Sequence, residues 1–213
     1  RYLTLAALPA ALPLFPLAGV LLLPRGALPL NIFEPRYLSL VDDAMAGNRL
    51  IGMIQPAESE NAVLRPRLAR VGCAGRITAY RETDDNRYLI TVSGICRFRL
   101  EGDEDSAVGY RLGRCDFAPF AEDLMAQDDI DFPRERLVTA LKDYLTENDL
   151  KADWKSIMTA PSEALVNALA MMCPFDAAEK QALLEAPSFA DRASTLVALL
   201  EMSRGADGPV TLN

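Results

Sequence analysis

The sequence predicts an α+β protein in which a strand-rich half, interrupted by one helix, precedes a half made of helices. Up to about residue 118, short apolar runs alternate with Pro, Gly and Asp-Asn turns, a pattern typical of strands. Beyond about residue 133, apolar residues recur at helical spacing, and helix-start signals separate the stripes. This segregation of strands from helices along the chain indicates the α+β class.

Four short apolar strands are predicted in the first quarter of the chain, at 12–17, 20–23, 28–33 and 50–54. Proline occurs within the first and the third of these runs, and Pro24 directly follows the second. Because proline cannot donate a hydrogen bond to a neighbouring strand, its presence favours edges, bulges or strand ends over the centre of a regular sheet.

The inserted helix is predicted over residues 34–46, where the spacing of apolar residues changes to a helical period. Pro35 suits the first turn, where a missing N–H is no loss. Glu34 adds negative charge at the positive end of the helix dipole. Gly47-Asn48 is a suitable C-terminal stop.

The clearest strand region is 70–103, in which a turn at Asp84-Asp85-Asn86 separates two apolar runs. These acidic turn residues favour a hairpin tip over a cation site. Gly94 is predicted to break the second run, so that a new strand begins at Ile95. A last strand is predicted over 108–117.

Three segments are predicted: a β-rich unit at 10–118, an acidic aperiodic linker at 119–132 and a helical unit at 133–204. In the helical unit, apolar stripes begin near 137, 154 and 161. Two more helices are marked by capping-box patterns, which are Asp176-x-x-Glu179 and Ser188-x-x-Asp191.

The charge of the chain is acidic and uneven. The formal charge is −8 and the sequence pI about 4.7, which argues against nucleic acid and anionic membrane as partners. Residues 1–117 carry 14 Arg and 13 acids, whereas 118–213 carry 8 basic residues and 17 acids. The apolar stretch at 3–23 is broken by three prolines, so we expect neither a membrane span nor a secretion signal, and a cytoplasmic location.

The sequence contains no histidine, which excludes Ser-His-Asp and Cys-His nucleophiles and His-containing zinc or haem sites. The four cysteines, Cys73, Cys96, Cys115 and Cys173, have no CxxC spacing. They are interpreted as small buried thiols, with a three-thiolate metal site as the alternative. No cofactor is expected.

Motifs for nucleotide-dependent or covalent catalysis are missing as well. The sequence has no GxxxxGK[ST] loop and no GxGxxG after a strand. Lys155 and Ser156 are adjacent, so their side chains point apart on a helix and do not form a dyad. If the chain were a hydrolase, only a carboxylate or thiol mechanism would remain, and the sequence shows no arrangement of catalytic residues for either.

The stretch "LPLFPLAGVLLLPRGALPLNIFEPRYLSLVDDAMAGNRLIGMIQP", together with "VGCAGRI" and "RYLITVSGICRFRL", resembles the amino-terminal, substrate-binding domain of Lon-type ATP-dependent proteases. The resemblance covers about 12–203. It implies a PUA-like β-pseudobarrel followed by a helical bundle. The ATPase and Ser-Lys protease modules of those proteases are not in this sequence, so the chain is similar to standalone members. Asn31 stands where relatives often have His.

The resemblance implies a non-catalytic module that binds unfolded or extended polypeptides, working in protein quality control with a separate protease or chaperone. RNA binding is the alternative suggested by PUA-like folds elsewhere, an analogy at the level of the fold only. The sequence leaves the oligomeric state and the client polypeptides open.

The joint between the third strand and the helix has two interpretations. In one, Glu34 and Arg36 form a local ion pair or cap, and Phe33 and Tyr37 are buried against the barrel wall. In the other, the joint borders a groove for extended polypeptide, with contacts from exposed apolar side chains and free strand edges within 12–23. The candidate groove residues are Leu30, Ile32, Phe33, Glu34, Arg36 and Tyr37.

Overall fold

The computed structural model describes residues 2, 4–57, 66–125 and 132–203. Within them, six strands with one inserted helix precede five helices, so the predicted order of elements is confirmed. The strands are β1 (Ala11–Pro16), β2 (Ala27–Ile32), β3 (Leu50–Pro56), β4 (Leu68–Glu82), β5 (Tyr88–Asp105) and β6 (Arg111–Asp116). The helices are α1 (Pro35–Ala46), α2 (Arg134–Glu147), α3 (Trp154–Thr159), α4 (Ser162–Met172), α5 (Ala177–Glu185) and α6 (Phe189–Met202).

The strands form one sheet that closes on itself. Their order is β2-β5-β4-β3-β1-β6, and β6 also pairs with β5, so five strands make a ring. Only the β1–β3 pair is parallel among these pairings. In the described chain β2 pairs with β5 alone and lies outside the ring. The result is a pseudobarrel with one added strand.

The inside of the barrel is filled by apolar side chains, among which Leu14, Ile51 and Phe98 are fully buried. Gly72 lies directly against the ring of Phe98, and a Cβ there would approach that ring to 2.5 Å. The glycine is therefore needed for the close packing of β4 against β5, since a side chain would displace the largest group of the core.

Two details of the strand predictions are wrong. Residues 20–23 form no strand, because Leu21, Leu22 and Leu23 are all buried as a loop that covers the barrel, instead of alternating between two faces. Gly94 does not break β5, which is continuous. A Cβ on Gly94 would overlap the carbonyl of Leu23, so this glycine lets the covering loop lie on the strand.

The helices follow the predicted stripes, and both predicted capping boxes are present at the starts of α5 and α6. The helices α2 and α6 lie in contact, and Leu137 and Leu141 of α2 and Leu196 and Leu200 of α6 are all buried in the core. The longest helices of the described chain, α2 and α6, have 14 residues each. None of its helices has the length and apolarity needed to cross a bilayer.

The described part of the acidic segment 119–132 includes a short 3-10 helix at Ala118–Leu124. Phe120 and Asp123 of this helix are buried, and the helix lies against β5. Its residues therefore contact the barrel although their composition is typical of a solvated linker. Residues 126–131 lie outside the described residues, and the predicted segment boundaries stay predictions.

The four cysteines are free and buried. No three His, Cys, Asp or Glu side chains of the described chain come together as a metal site, so the alternative of a three-thiolate centre gains no support there. Burial raises the pKa of Cys96 and Cys115 to about 12 and that of Cys173 to about 11. Burial also raises the pKa of Cys73.

We expect all four thiols to resist a thiol-specific reagent in the native protein at pH 8 and to react together on unfolding. The folded state disfavours the thiolates, so the stability they contribute is complete below their ordinary pKa of 9.0 and is lost as the pH rises toward 12. Reagent titration with and without denaturant measures this. Rapid labelling of one thiol in the folded protein would contradict it.

Candidate functional site

A groove of about 590 Å³ lies between the loop that joins β1 to β2 and the exposed side of α4. Both of its walls are mostly apolar. The first wall includes Val20 of the loop together with Leu28 and Pro29 of β2, and the helix wall includes Ala168, Met171 and Met172. The side chain of Met172 is 79% exposed, which is unusual for an apolar side chain of this size.

The shape of the loop follows from a tight turn at Pro24-Arg25-Gly26. The N–H of Gly26 donates to the carbonyl of Leu23 at 2.9 Å, and Arg25 has a positive φ of 64°. Proline at the first central position and a positive φ at the second are the marks of a type II turn. A Cβ on Gly26 would overlap the sulfur of Met171, so this glycine allows α4 to approach the loop.

Arg25 adopts this left-handed conformation although glycine or asparagine would suit it better. Its side chain connects three parts of the molecule. The guanidinium makes two hydrogen bonds to the buried carboxylate of Glu163 on α4, of which the bond from Nε is 2.9 Å long. Nη1 donates to the carbonyl of Asp123 at 2.6 Å. These contacts hold the loop against α4, and we infer that they compensate for the unfavourable backbone conformation of an arginine at this position.

Further polar contacts fix the loop along its length. Asn167 of α4 donates to the carbonyl of Pro24 at 3.1 Å. At the other end of the loop, Gly19 donates to Gln55 at 3.0 Å and accepts from Lys180 of α5 at 2.9 Å. The groove is therefore preorganised, because hydrogen bonds join the loop to α4 at one end and to β3 and α5 at the other.

The side chains that line the groove are suited to binding a ligand and not to catalysing a reaction on it. Its described lining contains no thiol, imidazole or hydroxyl group, and its one carboxylate, Glu163, is engaged by Arg25. The lining cations, Arg25 and Lys180, both donate to protein acceptors. An apolar segment can thus enter the groove without leaving an unpaired charge against it.

Of the predicted site residues, Tyr37 is buried as expected. Its ring stacks on Phe15 of β1 at a centroid distance of 4.3 Å, and the guanidinium of Arg36 lies 4.5 Å above it. Tyr37 therefore anchors α1 to the barrel wall.

The prediction that Phe33 is buried is wrong, since 62% of its surface is exposed. Successive side chains of a strand point to opposite faces, and Ile32 at the end of β2 takes the buried one. Phe33 therefore points outward, with the guanidinium of Arg87 at 6.0 Å from its ring centroid. Leu30 is half-buried in β2.

Glu34 and Arg36 form an exposed ion pair at 2.8 Å. Glu34 stands at the N-cap of α1, but its side chain makes no capping hydrogen bond. The pair is thus the local interaction that the first interpretation expects, without the cap. None of the six candidate groove residues lines the groove beside α4. Their part in binding stays a prediction.

We expect Glu34→Ala to lower the free energy of unfolding by less than about 1 kcal/mol, because an exposed ion pair without a cap contributes little. Chemical denaturation measures this. A loss above about 2 kcal/mol would show that the carboxylate carries a structural role beyond the pair with Arg36.

The expectation of free strand edges within 12–23 is met only in part, because β1 pairs with a neighbour on each side over part of its length. Residues 14–16 pair with β3 and residues 11–14 with β6. In the described chain, β2 has one edge that pairs with no strand along its whole length. The sequence interpretation named no residue of the helix wall. The consecutive pair Met171-Met172 at the end of α4 was a usable signal, since only one of two neighbours can join a helical stripe.

Comparison with protein families gives one result that covers nearly the whole chain. The family described as "ATP-dependent protease La (LON) substrate-binding domain" matches residues 11–202. The Lon protease of Desulfosudis oleivorans is 32% identical over 96 residues, which are 44% of this chain and 12% of that protein. Lon protease 2 of Thermus thermophilus is 25% identical over 202 residues, which are 91% of this chain and 24% of that protein. The chain thus matches no more than about a quarter of the length of these relatives.

Two of the solved structures that share the fold are Lon N-terminal domains. The Lon N-terminal domain protein from Xanthomonas campestris superposes with a TM-score of 0.63 at 23% identity, covering 88% of this chain and 97% of that one. The N-terminal domain of a Mycobacterium avium complex Lon protease gives 0.64 at 17% identity, covering 89% and 97%. The predicted fold class, an α+β protein with a PUA-like pseudobarrel and a helical bundle, is confirmed.

Proposed function

Because the chain belongs to the family of ATP-dependent protease La (LON) substrate-binding domains, we propose that it binds extended apolar stretches of unfolded polypeptide in the groove beside α4, without cleaving them. The observation that carries the proposal is the preorganised groove with two apolar walls and an exposed methionine at its rim. An exposed apolar concavity on a folded protein marks an interaction surface more often than a chance feature.

The absence of catalytic chemistry supports the non-catalytic part of the proposal. The sequence has no histidine and no phosphate-binding loop, and the described groove lining has no nucleophile. We further propose that bound polypeptides are passed to a separate protease or chaperone, in a role in protein quality control.

Binding is expected to be in the micromolar class. Ordering a flexible chain in a groove costs conformational entropy, and this cost offsets much of the contact energy. The rigid walls reduce only the conformational entropy that the protein loses on binding, and the polypeptide still loses its own.

The direct experiment is a titration of one fluorescently labelled model protein in two forms, permanently unfolded and native, followed by anisotropy. We expect saturable micromolar binding of the unfolded form and none of the native form. Equal binding of both forms, or binding of neither, would remove the proposal. The bound polypeptide should also remain intact after long incubation with and without ATP, and cleavage that survives repurification would overturn the non-catalytic assignment.

A further inference from the structure

The outer edge of β2 carries backbone groups that no strand pairs in the described chain. Gly94 of β5 donates to the carbonyl of Gly26 at 2.8 Å, and the register pairs Leu28 with Val92 and Leu30 with Ile90. In an antiparallel pair the hydrogen-bonding groups alternate between the two edges of a strand. The backbone N–H and C=O groups of Leu28 and Leu30 therefore face β5, and those of the residues that alternate with them along β2 face away.

The outward groups belong to Ala27, Pro29 and Asn31, and all three residues are exposed. No hydrogen bond from another described residue reaches their outward N–H or C=O groups. Since proline has no N–H, the edge presents carbonyls at all three positions but donors only at Ala27 and Asn31. A proline at an outward position is also a known way to limit uncontrolled pairing between copies of a chain.

The edge continues the groove. Ala27, Leu28 and Pro29 belong to the groove wall that faces Met171 and Met172 of α4, and the exposed ring of Phe33 follows the far end of β2. The strand spans six residues, or about 20 Å. A chain laid beside β2 would thus meet unpaired backbone groups and apolar side chains over the same length.

We propose that the bound polypeptide adds to the outer edge of β2 as a further strand and places its apolar side chains against α4. This rests on the proposed function and narrows it to one substrate class. The class is an extended segment of about six residues that is apolar and free of proline where its own N–H groups meet the edge. Helical segments do not qualify, because their N–H groups are already used within the helix.

The test uses the complete protein and an eight-residue apolar peptide with a fluorescent label, in which single backbone nitrogens are methylated one at a time. Methylation removes a donor and leaves the side chain in place. Strand addition predicts a period of two: methylation at alternate positions weakens binding about tenfold or more, and methylation between them is tolerated. Tolerance at all positions, or losses without that period, would overturn strand addition.

The failures of the two proposals are distinguishable. If the unmethylated peptide does not bind, the proposed function itself fails. If it binds and only its side chains matter, the groove remains a site and strand addition is rejected. The remaining alternative is that a second copy of the chain occupies the edge, and sedimentation of the protein alone tests it. If the protein alone is a dimer that saturating peptide leaves intact and that Asn31→Pro dissociates, a second copy occupies the edge, and this also overturns the assignment.

Two substitutions on the edge are expected to change the affinity for the peptide in opposite directions. Pro29→Ala adds an outward donor and is expected to tighten peptide binding about threefold to tenfold. Asn31→Pro removes an outward donor, keeps the pairing with β5 and is expected to weaken binding about tenfold. Circular dichroism verifies the fold of each variant. Equal affinity of both folded variants and the parent protein would reject a role for these groups.

Discussion

Replacing Arg97 by alanine is expected to lower the free energy of unfolding by about 3–5 kcal/mol, the largest effect we predict for a single side chain. Arg97 lies in β5 and is buried, as is its partner Asp123. Nε and Nη2 donate to the two carboxylate oxygens of Asp123 at 2.9 Å each. Without the guanidinium, the buried carboxyl group of Asp123 would lose both of these hydrogen bonds.

The remaining nitrogen of Arg97 extends the effect to the helical bundle. Nη1 donates to the carbonyl of Leu184 at 3.0 Å and to that of Ala186 at 2.6 Å, at the end of α5. The guanidinium also lies 4.4 Å from the ring centroid of Phe120. One side chain thus connects the barrel, the 3-10 helix and the bundle, so its removal also leaves carbonyls without a donor.

The matched control is Arg136→Ala, which removes an arginine from an exposed pair with Glu201 at 2.8 Å. We expect little change in stability there, because exposed pairs are screened by solvent. Denaturant unfolding of both variants measures the difference. If Arg97→Ala costs no more free energy of unfolding than Arg136→Ala, the Arg97 side chain does not hold the barrel to the 3-10 helix and the bundle.

The second large effect concerns binding. Ala168→Glu places a carboxylate on the exposed side of α4, inside the apolar groove, and is expected to weaken binding of unfolded polypeptide at least about tenfold. An apolar segment would have to strip water from that charge. Ala168 is exposed, so the fold should tolerate the substitution.

Ala198→Glu is the matched control, since Ala198 is exposed on α6 and does not line the groove. Both changes replace alanine by glutamate in a helix and add the same charge. The prediction is weakened binding for Ala168→Glu and unchanged binding for Ala198→Glu. Equal affinities in the two variants would place the binding surface elsewhere.

Local chemistry explains which parts of the fold were predictable. The capping boxes that start α5 and α6 depend on residues three apart in the sequence, and α1 begins at a proline and ends beside a glycine. Strand runs are likewise local patterns. The closing pair between β5 and β6 is not, because it depends on how far each strand extends and on a register shift between Leu100 and Gly102.

The candidate site was predictable only in part for the same reason. The apolar run that ends at Phe33 led to β2, but the groove itself needs α4, which comes about 130 residues later in the chain. Arg25 and Glu163 meet across that distance, and neither is unusual in its own sequence context. The exposure of Phe33 was obscured by its apolar character, since strand alternation depends on which neighbour takes the core position.

The most direct measurement of the central claim is amide hydrogen exchange of the complete protein with and without a saturating unfolded polypeptide. The account predicts slower exchange in residues 19–32 and 162–172, the two walls of the groove and the free edge beside them. Exchange in the hairpin turn at 83–87 should stay unchanged. Saturable binding that leaves both walls unprotected and slows exchange at another surface would contradict the claim.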